Sequence, residues 1–251
     1  MNPAKSDSWQ EAAKKFYAAR APFKARPEIS GVFLRAYQKL GARLPRTGGR
    51  LLDLGCGTGA VTSALEGPPG SVIGIDISLE SLHFAREKAK RASFVNADMA
   101  ALPFRNRCFD HAVAVTSLEF CSEKENVLAE LKRTLKQGGY FYLEVRNAGF
   151  PGLQIPGFFH ALLVSLKIIV PYQAQNFQDL SYRQWRELLE KSGWTILREY
   201  PSLWPWNFGN LMTRLKNLLI LAVKTFFPLR SHYMTGFLCQ KRNAEKEMPV
   251  R

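Results

Sequence analysis

The sequence has few cysteines, and none of them is spaced for a metal site or a redox pair. Cys56, Cys108, Cys121 and Cys239 lie far apart and form no CxxC motif. A disulfide scaffold and a zinc ribbon are therefore excluded, and we expect reduced thiols, as in the cytoplasm. The first residues lack an apolar leader, and no apolar stretch reaches the roughly 18 residues that a transmembrane helix needs. We expect neither a secretory signal nor a membrane span.

Acidic residues are scarce at both ends of the chain but not in its middle. Residues 1–50 carry 11 Lys and Arg against 3 Asp and Glu, and residues 151–251 carry 13 against 6. Residues 51–150 carry 11 against 12, and the whole chain has a net charge of +14. Basic flanks favour anionic partners, either an anionic membrane or nucleic acid. A surface that is charged only for solubility is the simpler alternative.

Short apolar runs alternate with amphipathic segments up to residue 146. The runs predict five strands, at Arg50–Leu54, Val72–Asp76, Ser93–Asp98, Phe109–Ser117 and Tyr140–Val145. The segments between them predict helices at Gly59–Leu65, at Leu79 to about Lys90 with Ser78 or Ser81 as its N-cap, and at Glu123–Lys136. This alternation is typical of parallel βαβ units in a doubly wound sheet.

The rest of the chain is less regular. A helix at Tyr182–Ser192 and strands at Trp194–Tyr200 and Tyr233–Gln240 bring the predicted strands to seven. Apolar stretches at about 150–172 and 203–229 interrupt the pattern, and we interpret them as a cap over the sheet. The predicted fold class is α/β, a doubly wound, mostly parallel seven-stranded sheet with N-terminal helices and a helical cap inserted in the C-terminal third.

A glycine-rich loop follows the first strand, in the segment Leu52 to Gly59. It satisfies the relaxed dinucleotide pattern GxGxxA, with Asp76 about 20 residues further on, but that pattern alone is weak evidence. Asp53 argues against a dinucleotide, because a carboxylate just before the first glycine repels a pyrophosphate and attracts an ammonium group. A cofactor with an amino-acid head therefore fits better than NAD. The alternative is that Asp53 only binds loop amides.

Residues 45–146 resemble the class I S-adenosylmethionine-dependent methyltransferases, most closely the small-molecule branch that includes the quinone C-methyltransferases. Four motifs recur in order, at Leu52–Gly59, Gly74–Ser78, Asn96–Phe104 and Phe109–Phe120. The resemblance implies that S-adenosylmethionine is the cofactor. Asp76 would bind both ribose hydroxyls, Asp98 would face the adenine amino group, and Met99 would pack on the adenine ring. The full set of implied cofactor-binding residues is Asp53, Gly55, Cys56, Gly57, Gly59, Asp76, Ile77, Asp98, Met99 and Thr116.

The resemblance also divides the chain, which we expect to form one domain. Its parts are an N-terminal helical segment at 1–44, the cofactor-binding core at 45–146, a second half of the sheet with the cap insertions at 147–240 and a disordered tail at 241–251.

Two of the implied cofactor-binding residues have simpler alternatives. Asp76 would only cap a strand end, and Asp98 would only shape a turn.

The catalytic group is not defined by the sequence. Methyl transfer from a sulfonium needs alignment above all, and it needs a base only if the acceptor must lose a proton. Many relatives have Leu-Glu-His after the fourth strand, but this chain has Leu118-Glu119-Phe120. His160 in the first cap segment is a weak candidate base, and Tyr17 occupies the place of an N-terminal tyrosine that covers the active site in relatives. Structural roles are the alternative for both.

The cap suggests the kind of acceptor. Its two segments combine large apolar side chains with Lys167, Arg214, Lys216 and Lys224, a composition typical of helices that lie in a membrane interface. We therefore expect a small apolar acceptor, such as a lipid, a quinone or a natural-product-like compound, and a cytoplasmic protein that binds the inner membrane surface peripherally. An RNA methyltransferase with a basic N-terminal arm and a non-catalytic S-adenosylmethionine-binding protein are the alternatives. The oligomeric state is open.

Overall fold

The computed structural model describes residues 48–68, 70–148, 180–202 and 234–241, with scattered positions between residues 11 and 44. Within these residues, seven strands form one sheet in the order β3-β2-β1-β4-β5-β7-β6. They are β1 (Leu51–Leu54), β2 (Val72–Asp76), β3 (Ser93–Asn96), β4 (Phe109–Val115), β5 (Leu135–Arg146), β6 (Trp194–Ser202) and β7 (Met234–Lys241). The first five are parallel, and β7 runs antiparallel to both β5 and β6. The predicted α/β class with a mostly parallel seven-stranded sheet is confirmed, whereas the predicted helical cap lies outside the described residues.

Four α-helices and one 3₁₀ turn connect the strands in the described residues. They are α1 (Ala60–Ala64), α2 (Leu79–Lys88), α3 (Lys124–Thr134), α4 (Tyr182–Lys191) and the turn Leu118–Phe120. Ser78 is the N-cap of α2, since its side chain accepts a hydrogen bond from the Ser81 amide at 3.1 Å. Ser181 and Gln184 form a capping box at the start of α4. Described positions between residues 11 and 22, and Tyr37, are also helical.

Alternating side chains of the sheet face two separate cores. One face, with Leu52, Leu54 and Leu143, packs under α3 and α4, where Trp185 and Leu189 are fully buried. The opposite face packs against the N-terminal helical segment and α1 through Tyr37, Leu40, Val61, Val113 and Tyr142. The strands are covered on both faces, and this explains why their sequences are continuous apolar runs.

The end of α3 differs from the prediction. The helix stops at Thr134 and β5 begins at Leu135, rather than at Lys136 and Tyr140. The amides of Arg107 and Cys108, just before β4, donate to the carbonyls of Arg133 and Thr134. These non-local bonds draw the last helical carbonyls towards the sheet. Gly138 and Gly139, which favour the end of a helix, therefore lie inside β5.

Strand and tail boundaries also shift. The strands β3 and β4 end at Asn96 and Val115, earlier than predicted, and Thr116 has a positive φ of 52° that ends the extended backbone. Lys241 belongs to β7 and not to a disordered tail, because its amine donates to the carbonyl oxygens of Lys132 and Leu135. The two cap segments and residues 242–251 lie outside the described residues. No described helix is long and apolar enough to cross a membrane.

Candidate active site

The loops that follow β1, β2, β3 and β4 meet at one edge of the sheet. Carboxyl ends of parallel strands are where α/β sheets bind ligands. The Ser117 hydroxyl, after β4, donates to the Leu54 carbonyl at the end of β1 at 2.8 Å. A Cβ atom added to Gly55 would lie 2.5 Å from the Ser117 Cβ and 3.2 Å from the Met99 Cε. The glycine-rich loop therefore touches the loops that carry both Met99 and Thr116.

Asp76 is held next to the glycine-rich loop. One of its carboxylate oxygens accepts from the Gly57 amide at 2.8 Å, and the other accepts from the Ser78 amide at 2.9 Å. Asp76 thus does cap the strand end, as the simpler reading suggested. Each carboxylate oxygen has a second lone pair, so these bonds leave the side chain able to accept from a vicinal diol.

The two central glycines of the loop have different roles. Gly57 has a φ of 54° and nothing lies within 4 Å of where its Cβ would be, so a ligand has room to approach the backbone. Gly59 has a φ of 79°, and its Cβ would lie 2.9 Å from the Ala85 Cα of α2. Gly57 therefore leaves room for a ligand, whereas Gly59 allows α1 to pack closely on α2.

Asp53 is almost completely buried, with 1% of its surface exposed. It accepts a hydrogen bond from the Thr62 hydroxyl of α1 at 2.6 Å. Burial raises the pKa of Asp53 to about 7, with a smaller contribution from the nearby Asp76 carboxylate, and the Thr62 hydrogen bond opposes the rise. A buried carboxylate at this position stabilises a cationic group placed against it. The assignment of Asp53 to an ammonium end remains a prediction.

The residues implied for the adenine and ribose sides also come together. The Asp98 carboxylate accepts from the Ala100 amide at 2.9 Å, which makes it a turn residue whatever else it binds. The Asn96 side chain donates to the carbonyls of Asp76 and Ile77, both at 2.9 Å, and so joins the ends of β2 and β3. Cys56 is buried, and burial raises its pKa well above the ordinary value, so its thiol stays protonated.

The proposed catalytic residues are not among the described residues. His160 and Tyr17 both lie outside them, and their roles stay predictions. Two other histidines are described and lie away from the loops. His83 is an exposed side chain on α2, 3.5 Å from Glu87. His111, near the amino end of β4, lies 3.1 Å from the Gly48 carbonyl oxygen, and burial lowers its pKa.

Four polar side chains that the sequence reading did not assign lie near the carboxyl ends of β4 and β5. Tyr37, Glu119, Glu144 and Arg146 are all buried, on the face covered by the N-terminal segment. Burial raises the pKa of Tyr37, and the charges of Glu144, Asp53 and Glu119 raise it further in that order. Charged residues at alternate positions of the otherwise apolar β5 were the sequence signal for Glu144 and Arg146.

One part of this group ties the N-terminal segment to the sheet. The Tyr142 hydroxyl donates to a Glu144 carboxylate oxygen at 2.8 Å, and the same oxygen lies 3.5 Å from the Arg43 guanidinium. Arg43 also donates to the Tyr142 hydroxyl, and it lies 4.8 Å over the centroid of the Tyr200 ring. These contacts fix the position of Arg43, near the end of that segment, against the sheet.

These residues fit S-adenosylmethionine better than a dinucleotide. The open approach at Gly57 and the adjacent Asp76 carboxylate suit a nucleoside, and the buried Asp53 suits an ammonium rather than a phosphate. When bound, that cofactor supplies an electrophilic methyl group on a sulfonium. Among the described residues, no group of three or more His, Cys, Asp or Glu side chains could hold a metal ion.

Comparisons with known proteins agree with this fit. Residues 52–143 match the model of the methyltransferase domain family Methyltransf_11. The chain is 32% identical over 150 residues to the ubiquinone/menaquinone biosynthesis C-methyltransferase UbiE of Stutzerimonas stutzeri, covering 55% of this chain and 59% of that protein. It is 29% identical over 162 residues to the fatty-acid O-methyltransferase of Mycolicibacterium smegmatis, covering 62% of this chain and 58% of that protein. The matches thus span less than two thirds of these relatives.

The fold is also similar to solved structures. The structure of a Haloferax volcanii methyltransferase complex with the Trm112 methyltransferase activator superposes with a TM-score of 0.65 at 19% identity, covering 90% of this chain and 98% of that one. At that identity the similarity concerns the fold alone. The evidence for the chemistry is instead the family match, which includes the four loop motifs. These loops meet at one edge of the sheet. Residues 52–143 of this chain are therefore similar to the domain of class I S-adenosylmethionine-dependent methyltransferases.

Proposed function

We propose that the protein transfers the methyl group of S-adenosylmethionine to a small apolar acceptor. The observation that carries the proposal is the joint position of Asp76, Gly57 and Asp53. Asp76 can accept hydrogen bonds from a diol, the backbone at Gly57 is open to a ligand, and Asp53 is a buried carboxylate. All three lie close to the glycine-rich loop. The nature of the acceptor is supported by the relatives, one of which is named for quinones and one for fatty acids.

The chain's own residues orient the reactants and exclude water. Asp76 binds the ribose, Asp53 holds the amino-acid end, and Met99 covers the adenine beside Gly55. The buried ends of β4 and β5 then face the methyl group. Aligning two bound reactants in a dry site supplies a large part of the rate of such a displacement, so a dedicated base is not a condition for activity.

The test is a transfer assay with purified protein, methyl-labelled S-adenosylmethionine and separate lipid, RNA and small-solute fractions of cell extract. Label in the lipid fraction, or in apolar small molecules, supports the proposal. Label in RNA would instead support the alternative that the basic N-terminal arm binds RNA. Cofactor binding by calorimetry without label in any fraction would indicate a binding protein without catalysis.

The basic flanks support a further part of the proposal, peripheral binding to the cytoplasmic face of an anionic membrane. The segments 1–50 and 151–251 hold all of the positive excess, and the cofactor loops lie in the nearly neutral part between them. An apolar acceptor that partitions into a bilayer would then be collected from that surface.

A further inference from the structure

A buried ion pair lies at the carboxyl ends of β4 and β5. The Arg146 Nε is 3.7 Å from a Glu119 carboxylate oxygen, and their side chains are 9% and 0% exposed. Arg146 is the last residue of β5, and Glu119 lies in the 3₁₀ turn that follows β4. The Arg146 guanidinium also lies 5.7 Å from the centroid of the Phe120 ring, so an aromatic wall stands beside the charges.

The pair belongs to the same end of the molecule as the cofactor loops. Glu119 follows Thr116 and Ser117 within three residues, and Ser117 is bonded to Leu54 at the start of the glycine-rich loop. Tyr37 lies close enough to both Asp53 and Glu119 for each carboxylate to raise its pKa. The pair therefore lies beside the segment after β4 that contacts the glycine-rich loop.

Stability alone gives little reason to keep this pair. Removing two charges from water costs about as much as their attraction returns, and apolar replacements of buried pairs are often neutral or stabilising. The opposite core of the same sheet is apolar at corresponding depth, with Leu143 and Val145 of β5 fully buried. A buried pair next to a reaction site is better explained by recognition.

The chemistry of the pair selects one kind of polar group. A guanidinium donates hydrogen bonds and a carboxylate accepts them, so a neutral hydroxyl can accept from one and donate to the other. A carboxylate acceptor would be repelled by Glu119, and an ammonium acceptor by Arg146. We propose, on the basis of the methyl-transfer function proposed above, that Glu119 and Arg146 bind the hydroxyl group of the acceptor, a phenol, enol or alcohol on an apolar body.

This arrangement makes the hydroxyl oxygen the nucleophile. The oxygen attacks the methyl carbon, the carbon–sulfur bond breaks with its electron pair going to sulfur, and the hydroxyl proton passes to the Glu119 carboxylate. The products are a methyl ether and S-adenosylhomocysteine. Arg146 donates a hydrogen bond to the oxygen while the proton leaves it. Glu119 is then the catalytic residue, a role that the sequence left unassigned because Phe120 replaces the histidine of the Leu-Glu-His motif.

The test uses four probes that share an octylbenzene body: para-octylphenol, octylbenzene, para-octylbenzoate and para-octylbenzylamine. Their dissociation constants are measured by calorimetry on the full chain saturated with S-adenosylhomocysteine. We expect the phenol to bind about tenfold or more tightly than each of the other three, because a site built for a hydroxyl rejects analogues that leave its polar groups unpaired. Equal binding of all four would overturn the inference.

Variants separate recognition from a structural role. Glu119→Gln removes one negative charge beside Arg146, so the preference should move from the phenol towards the benzoate. Glu190→Gln is the matched control, since it removes the carboxylate of an exposed pair, 3.0 Å from Arg186. It should keep the phenol preference. If Glu119→Gln does not fold, the double variant Glu119→Leu with Arg146→Met removes both charges and should bind octylbenzene as tightly as the phenol.

Each outcome has a distinct meaning. A phenol preference that persists in the double variant, or a general loss of probe binding in Glu119→Gln without a shift to the benzoate, would overturn the inference while leaving the proposed function in place. The proposed function itself would be contradicted if the wild-type protein did not bind S-adenosylhomocysteine. It would also be contradicted if the protein saturated with S-adenosylhomocysteine bound none of the four probes. Affinity for S-adenosylhomocysteine should be equal in all variants.

Discussion

At the scale of single residues, Asp76 is the side chain on which we expect cofactor recognition to depend most. Asp76→Ala removes the carboxylate that we propose binds both ribose hydroxyls, and it also frees the amides of Gly57 and Ser78. We expect S-adenosylmethionine binding to weaken by about 1.5–3 kcal/mol, the range for a hydrogen bond to a charged group. Calorimetry measures this loss. Asp110→Ala is the matched control, because Asp110 pairs with Lys136 near the amino end of β4. Equal affinities of the Asp76 variant and the wild type would refute the assignment.

Asp53 makes the stability of the protein depend on pH. Its carboxyl ionises at about 7 in the folded chain against 3.8 as the ordinary value, so unfolding releases a proton between about pH 4 and pH 7. The contribution of Asp53 to the free energy of unfolding is therefore most favourable below pH 4, falls as pH rises through that window, and is constant above it. Asp53→Asn should gain stability over the wild type on the order of a few kcal/mol above pH 7, and the gain should vanish near pH 4.

Chemical denaturation at several pH values measures that difference. Cofactor binding provides a second readout, because an ammonium against Asp53 favours its charged form and should release a proton near pH 6. Calorimetry in two buffers with different ionisation enthalpies detects the proton, and Asp53→Asn should release none while binding the cofactor less tightly. A variant with unchanged affinity would show that Asp53 is structural.

At the scale of elements, the glycine-rich loop and the packing of α1 on α2 can be separated experimentally. Gly59→Ala places a Cβ 2.9 Å from the Ala85 Cα at a φ of 79°, and both contact and backbone are strained. Gly57→Ala meets open space at a φ of 54°. We expect Gly59→Ala to destabilise the fold by about 2 kcal/mol or more, and Gly57→Ala by about 1 kcal/mol.

The loss of cofactor affinity should be larger for Gly57→Ala than for Gly59→Ala, because only the methyl group at position 57 occupies the approach to the loop. Thermal unfolding and calorimetry on both variants give the two measurements. Gly70→Ala is the control, at a similar φ of 75° with nothing within 4 Å and away from the site. Full cofactor affinity in a folded Gly57→Ala variant would place the ligand elsewhere.

At the scale of the whole molecule, the charge distribution predicts vesicle binding. Flotation should recover the protein with phosphatidylglycerol vesicles and much less with phosphatidylcholine vesicles. Each basic residue near the surface contributes up to about 1 kcal/mol, and salt should weaken the binding. Lys216→Glu with Lys224→Glu, in the second apolar cap segment, should reduce flotation without changing cofactor affinity. Lys90→Glu with Arg105→Glu, both exposed in the neutral part, is the control. Equal flotation with both vesicle types would contradict electrostatic binding to the membrane.

The sequence determined the order and type of the elements and the positions of the cofactor loops. Apolar runs such as Val72–Asp76 specify buried strands locally, and motif residues such as Asp76 and Gly57 sit at strand ends by chain position alone. The N-cap at Ser78 followed from local chemistry in the same way. These features depend on neighbours in sequence, so they could be read without a fold.

Tertiary structure alone decided features that depend on distant residues. The end of α3 was set by amides that precede β4. The depth of Asp53 was set by the packing around β1, including Thr62 of α1, and this burial raises the pKa of Asp53 by excluding water. The pairing of Glu119 with Arg146 required β4 and β5 to lie side by side. Burial and contact between distant segments are properties of the packed sheet, and no local pattern encodes which charged side chains it will bring together.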